Sequence, residues 1–222
     1  SRGWILGLEA ALWHTYFTNQ ILPDFDTNAN EIRYNNLNGH AVSQGGSLNI
    51  EANYGQFRAQ IGASILDVFT KENNQRIRPV FTEKWSMTWA ITAPLWNEKI
   101  RLDYTGNLYG HMRLPLLGEL DPRAEFSPVW SIQNLKFSYQ KDNDWNFFVG
   151  VKNLLDWTPA KNNPFLIARS DDPFDRNVQF NTNGTIQATT DNPYALSFDP
   201  TYIYAPNQGI RFFIGLNYSL YR

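Results

Sequence analysis

The sequence predicts an all-β protein, an antiparallel transmembrane β-barrel wall of about eight strands. Three observations carry this. Apolar and polar residues alternate with period two over segments of ten or more residues, longer than the five or six usual in soluble sheets. Short and long connections between these segments alternate strictly, as they do in outer-membrane barrels. Aromatic residues flank every short connection, as in an interfacial girdle.

The strands are expected near 4–21, 32–54, 56–70, 86–97, 99–113, 129–141, 145–156 and 209–221. In the first, Trp4, Leu6, Leu8, Ala10 and Leu12 alternate with Gly7, Glu9 and Ala11; in the second, Leu48, Ile50, Ala52 and Tyr54 alternate with Ser47, Asn49, Glu51 and Asn53. A tight turn at Gly55–Gln56 leads to Phe57, Ala59, Ile61, Ala63 and Ile65, opposed by Arg58, Gln60, Gly62 and Ser64. The fourth strand sets Met87, Trp89, Ile91, Ala93 and Leu95 against Ser86, Thr88 and Thr92, and turns at Asn97–Glu98. The fifth is the most regular: Ile100, Leu102, Tyr104, Gly106, Leu108 and Met112 face away from Lys99, Arg101, Asp103, Thr105, Asn107, His111 and Arg113. The sixth, Trp130 to Gln140, is less regular and turns at residues 142–144 into Trp145, Phe147, Val149 and Val151, opposed by Asn146, Gly150 and Lys152. The last places Ile210, Phe212, Ile214, Leu216, Tyr218 and Leu220 opposite Arg211, Gly215, Asn217 and Ser219.

Connections near 55, 97 and 143 are short, whereas 22–32, 71–85, 113–128 and 157–208 are long and rich in Asn, Asp and Pro; the last of these is expected to be a long extracellular loop. The girdle is read as Tyr54 and Phe57, Trp96, Tyr139 and Trp145, with Trp4 and Tyr218 or Tyr221 at the matching level. A soluble β-sandwich shows the same alternation, but with shorter strands.

Composition sets the remaining bounds. With 19 Lys+Arg against 21 Asp+Glu, the net charge of -2 leaves no basic footprint for nucleic acid. No run of 18 apolar residues exists, which excludes transmembrane helices, while a mean hydropathy of -0.45 is compatible with a barrel because half of each strand faces away from lipid. The absence of cysteine removes disulfides and thiolate metal sites. The chain begins SRGW with neither Met nor signal peptide, so it is expected to be processed or part of something longer.

Catalytic chemistry is thin. His14, His40 and His111 lack metal-ligand spacing, and the acids of SDDPFDR are interrupted by Pro173 and lack a calcium-loop spacing, so neither a metal nor a cofactor is expected. Asp172–Pro173 reads as a turn start. No nucleophile elbow or other catalytic motif is present, and no enzymatic activity is expected.

The segments YFTNQILPDFDTNANEIRYNNLNG (16–39), DYTGNLYGHMRLPL (103–116), FSPVWSIQNLKFSY (126–139), VGVKNLLDWTP (149–159), DPFDR (172–176) and YIYAPNQGIRFFIGLNYSLYR (202–222) resemble the C-terminal part of TonB-dependent outer-membrane receptors, particularly those of the Bacteroidota. The resemblance runs nearly end to end; its most specific element is a strand ending in VKNLLD, a long loop, and a closing strand preceded by PNQGIR. It departs from the family at the terminus, where Tyr221 is followed by Arg222 instead of ending on an aromatic residue. The resemblance implies a 22-stranded barrel around a plug, importing a scarce ligand such as a siderophore, metal complex or cobalamin by force transmitted through TonB. The implied location is the bacterial outer membrane. The implied partners are outer-membrane lipid, the remaining barrel strands and plug lying upstream, TonB through the N-terminal region, the insertion machinery through the last strand, and a surface lipoprotein.

On this reading Arg58, Arg101, Asp103, Asn107, His111 and Lys152 face the lumen. Ligand capture falls to the outer loops, through Arg113, Asp121 and Arg123 in one and Asp171, Asp172, Asp175, Arg176, Tyr202 and Tyr204 in the other. A small self-closed eight-stranded barrel with a structural or adhesive role is the alternative, and it requires the first strand to pair with the last.

Overall fold

The computed structural model describes residues 3–24, 33–114, 124–141, 144–159, 179, 181–183, 187–189, 204–206 and 208–219. Its elements are β1 (Ile5–Phe17), β2 (Ile21–Asp24), β3 (Arg33–Asn36), β4 (Gly39–Tyr54), β5 (Phe57–Glu72), β6 (Gln75–Ile77), β7 (Trp85–Leu95), β8 (Ile100–Tyr109), β9 (Trp130–Gln140), β10 (Trp145–Lys152) and β11 (Arg211–Tyr218). The main sheet runs β1-β4-β5-β7-β8-β9-β10-β11 with antiparallel pairing throughout. Each of these strands pairs with the one that follows it along this path, which makes the sheet a meander.

The pairing registers keep the alternation in phase from strand to strand, so one face is apolar and the other polar. The apolar face is not covered by protein: Leu8 is 74%, Leu12 90% and Ile214 85% exposed. Apolar area on this scale, arranged as a continuous band, has hydrocarbon as its natural solvent. At one end of the band Trp4 stacks on Tyr54 with ring centroids 5.0 Å apart, Trp96 on Tyr139 at 6.3 Å, and Trp145 meets Tyr218 at 4.6 Å. These rings all lie beside the short turns.

The short turns depend on left-handed backbone. Gly55 has φ 58°, and Trp96, Asn97 and Glu98 have φ 45°, 54° and 66° in succession. Asparagine tolerates this region; Trp96 and Glu98 adopt it at a cost in backbone strain, and Glu98 Oε2 accepts a 2.6 Å hydrogen bond from Gln56 Nε2 in the neighbouring turn.

Apart from strand ends that shift by a few residues, such as β10 stopping at Lys152 where a strand over 145–156 is expected, the structure departs from the sequence reading in four places. The segment 4–21 is not one strand: β1 stops at Phe17, and β2 pairs with β3 in a separate two-stranded sheet. The segment 32–54 likewise breaks at Leu37–Asn38 into β3 and β4. Asn73 and Asn74, with φ 48° and 65°, make a two-residue hairpin of the kind that favours paired positive-φ residues, so β6 folds back on β5 inside a connection read as loop. Met112 does not face lipid; it is buried against Trp130 and Ala205. The period-two pattern is lost near Gly110, where β8 ends.

The self-closed alternative is not what forms. β1 and β11 are the two ends of the sheet, and the described residues include no pairing between them. The sheet is open.

Candidate functional site

The site with the most polar chemistry lies on the polar face, where one cross-strand row joins Asn53, Arg58, Thr92, Asp103, Lys136 and Gly150. Asp103 is its hub. Its carboxylate accepts a 2.9 Å hydrogen bond from Thr92 Oγ1 and ion-pairs with Arg101 Nε at 3.2 Å and Lys136 Nζ at 3.4 Å. The hollow beside this hub, about 410 Å³, is lined by Thr92, Asp103, Thr105, Asn134, Lys136, Lys152 and Phe213, among others.

Glycine spacing positions the two lysines. Phe148 pairs across from Gly215, and Phe213 across from Gly150, so each ring rests where its partner has no side chain. A Cβ on Gly150 would come within 2.4 Å of the Phe213 ring, and one on Gly215 within 2.3 Å of Phe148. The flattened rings then sit under ammonium groups: Lys136 Nζ lies 5.6 Å from the Phe148 centroid and Lys152 Nζ 5.8 Å from that of Phe213. With Arg58 and Arg211 on the same face, the patch has cations in excess of the Asp103 carboxylate and complements an anionic or carboxylate-bearing surface.

Beyond the end of β8 a second group closes over the polar face. Trp130 stacks on Tyr109 at 4.4 Å and on Trp157 at 5.2 Å, with Tyr204 edge-on at 6.4 Å; Met112 and Ala205 complete the cluster. Below it, Asn153 ties the two ends of the long connection together. This residue, buried and at φ 52°, donates from Nδ2 to the Trp157 carbonyl at 2.7 Å and the Gln208 carbonyl at 3.0 Å, and accepts from Trp157 N–H at 3.1 Å. Asp156 Oδ1 accepts from Ile210 N–H at 2.7 Å. The NLLD and QGI segments are therefore two halves of one clamp at the neck of that loop.

The residues expected to serve the site fall into distinct groups. Arg58, Arg101, Asp103 and Lys152 are brought together on the polar face. Asn107 belongs to the same face, but its Oδ1 accepts from Ile132 N–H at 3.1 Å and its carbonyl from Ser131 Oγ at 2.6 Å, so it holds β8 to β9. His111 stands apart, its Nδ1 2.6 Å from the Ser127 carbonyl, beside a hollow lined by Arg78, Lys84 and Phe126. In that hollow burial pushes the Arg78 guanidinium below its ordinary value, against the opposing pull of Asp67 and Glu83. Arg113 donates to the Arg78 carbonyl at 3.1 Å and lines a separate hollow with residues of β2 and β3. Tyr204 is not a free loop side chain; it is half-buried in the Trp130 cluster. Asp121, Arg123, Asp171, Asp172, Asp175, Arg176 and Tyr202 lie outside the described residues. Among the described residues, no group of three His, Asp or Glu is placed to hold a metal ion.

Sequence reading missed Lys136 and the Trp130 cluster, and placed Thr92 on the polar side of its strand without a role at the site. Lys136 and Trp130 lie on the sixth strand, which alternates least regularly because its apolar Ile132 sits on the polar face; the signal available was that Lys136 falls in phase with Asp103 once the 100–140 hairpin is registered.

No protein-family model matches the sequence, and no curated protein matches it. Solved structures do. The ferric-catecholate import receptor of E. coli K12, in its closed form, matches 96% of this chain over 25% of its own length with 14% identity and a TM-score of 0.58. The pyoverdine outer-membrane receptor of Pseudomonas aeruginosa PAO1 matches 97% of this chain over 27% of its own, with 12% identity and a TM-score of 0.58. An iron transporter of Neisseria meningitidis matches 96% over 28%, with 9% identity and a TM-score of 0.53. The chain thus spans about a quarter of the length of these structures, and what it shares with them is the fold: an antiparallel sheet that matches part of their β-barrels.

Proposed function

We propose that this chain is part of the barrel wall, from the C-terminal third, of a TonB-dependent importer of the Bacteroidota type in the bacterial outer membrane. The observation that carries the reading is the open sheet. Its apolar face is bare, and both β1 and β11 have an edge without a partner among the described residues. In hydrocarbon an unpaired edge costs several kcal/mol per orphaned backbone group, so further strands must flank both edges. A match over nearly the whole chain but only a quarter of each receptor supports the same view.

The apolar face meets lipid, and the polar face, with Asp103, Arg101, Lys136 and Lys152, meets a plug filling the lumen. TonB acts through a region outside this chain, the insertion machinery reads β11, and a surface lipoprotein caps the long loops. The cargo is a scarce ligand of the siderophore, metal-complex or cobalamin type. The chain's own contribution is non-enzymatic: wall, plug seat and part of the mouth.

The topology gives the test. Single cysteines at Asn74, in the hairpin between β5 and β6, and at Asn97, in the short turn after β7, are expected to behave oppositely towards a membrane-impermeant maleimide on intact cells. Asn74 is labelled and Asn97 only after lysis. Labelling of Asn97 from outside sinks the orientation.

A further inference from the structure

The apolar face ends in an ordered way at its outer edge. His14, Gln44 and Asp67 are each ten residues from the girdle residues Trp4, Tyr54 and Phe57 of their strands. At about 3.3 Å per residue and about 40° of tilt, ten residues rise about 25 Å, the height of an outer-membrane apolar band. The three form one bonded row: His14 Nδ1 is 3.0 Å from Gln44 Oε1, and Gln44 Nε2 donates to Asp67 Oδ2 at 2.8 Å. Arg76 closes the row on Asp67. Two residues further out, Tyr16, Val42 and Phe69 make an aromatic and apolar row, with Tyr16 stacked on His40 at 5.0 Å and the Arg76 guanidinium 3.8 Å over the Phe69 ring.

Another two residues out come His40, Lys71 and Arg76, directly opposite one another across β4, β5 and β6. Like charges directly opposite in a sheet repel, and Lys71 has no ion-pair partner among the described residues to relieve it. Asp67, the acid facing this side, sits two rows lower and is already engaged by Gln44 and Arg76. The row lies about 10 Å beyond the band, in the headgroup layer of the outer leaflet, where the partner present in abundance is a lipid phosphate. The geometry points to a binding site for the phosphate of an anionic outer-leaflet lipid, formed by Lys71 and Arg76 with His40 at its side, the acyl chains lying along Tyr16, Phe69 and the apolar band. This rests on the lipid-facing reading of that face.

The test is native mass spectrometry of the protein carrying this chain, released from detergent micelles supplied with phosphatidylglycerol or phosphatidylcholine of the same acyl chains. The wild type is expected to retain the anionic lipid preferentially, with Lys71 and Arg76 each contributing about fivefold. Lys71→Gln, which leaves the Arg76–Asp67 pair intact, lowers the preference by that factor, and Lys71→Gln with Arg76→Gln abolishes it, while circular dichroism confirms an unchanged sheet. Equal retention of the two lipids by the wild type, or no loss in Lys71→Gln, overturns the site and leaves the wall reading standing. Displacement of phosphatidylglycerol by millimolar inorganic phosphate overturns it in favour of a free-anion site. Retention of neither lipid removes the lipid-facing reading as well.

Discussion

Ile61→Arg is expected to destabilise the folded, membrane-inserted protein by about 2–4 kcal/mol, and Gln60→Arg by far less. The two positions are adjacent in β5 but face opposite ways. Ile61 pairs with Ile50 and Trp89 on the apolar face, and it lies four residues from the girdle at Phe57, near the middle of a ten-residue band. A guanidinium there has no water and no carboxylate within reach. Gln60 is opposite Glu51 on the polar face, where a cation gains a partner. Leu102→Arg supplies a depth control: it stands two residues from Ile100, which pairs with the girdle residue Tyr139, so the expected cost falls to about 0–1 kcal/mol. Denaturant unfolding in lipid vesicles measures all three. Equal penalties at residues 60 and 61 would show that the face is covered by protein or that the β5 register is wrong.

Asn153→Ala is expected to cost about 3 kcal/mol, an unusually large loss for a residue at the start of a loop. Asn153 is 4% exposed, and its side chain satisfies two carbonyls and one N–H on the two strands of the neck. Its removal strips all three groups of these partners, the two on half-buried Trp157 costing roughly 1–3 kcal/mol each and the carbonyl of exposed Gln208 less, and forces alanine into the left-handed region. Asn153→Asp retains the acceptor for Trp157 N–H but sets a carboxylate oxygen against the Trp157 and Gln208 carbonyls, so it is expected to be at least as damaging. Thermal unfolding followed by loss of heat-dependent gel mobility measures both. A loss below about 1 kcal/mol for the alanine variant would mean that the neck is held from elsewhere.

Much of the wall was legible in the sequence because a barrel strand writes its two environments into alternate residues. Leu6 to Leu12, Phe57 to Ile65 and Phe212 to Tyr218 all display the apolar set that the structure leaves bare. Alternation carries no information where the chain leaves the membrane: Gly110–Met112 continues the pattern on paper, yet Met112 turns under Trp130. The β5–β6 hairpin was legible in Asn73–Asn74 and went unread because it lies within a polar stretch, with no apolar strand on its far side to mark it. For the site, the charged members of β8 could be placed from spacing alone, whereas the link from Asp103 to Lys136 depends on the β8–β9 register, which no single strand encodes. The Asn153 clamp brings together residues 55 positions apart, and nothing local to either segment announces the other.

The meander has a consequence for fidelity. Because every strand along the path takes its facing from the strand before it, the sign of the whole pattern is transmitted through the turns. A one-residue slip at residues 96–99 would turn Arg101, Asp103 and Lys136 towards lipid together, provided the later ladders kept their own registers. Three successive left-handed residues, Trp96, Asn97 and Glu98, fix the number of residues in that turn, and Glu98 is fastened to Gln56 in the turn beside it. The bond from Gln56 to Glu98 thus works as error correction: a miscounted hairpin forfeits it and is the costlier one when the two hairpins first meet, before lipid is there to reject it.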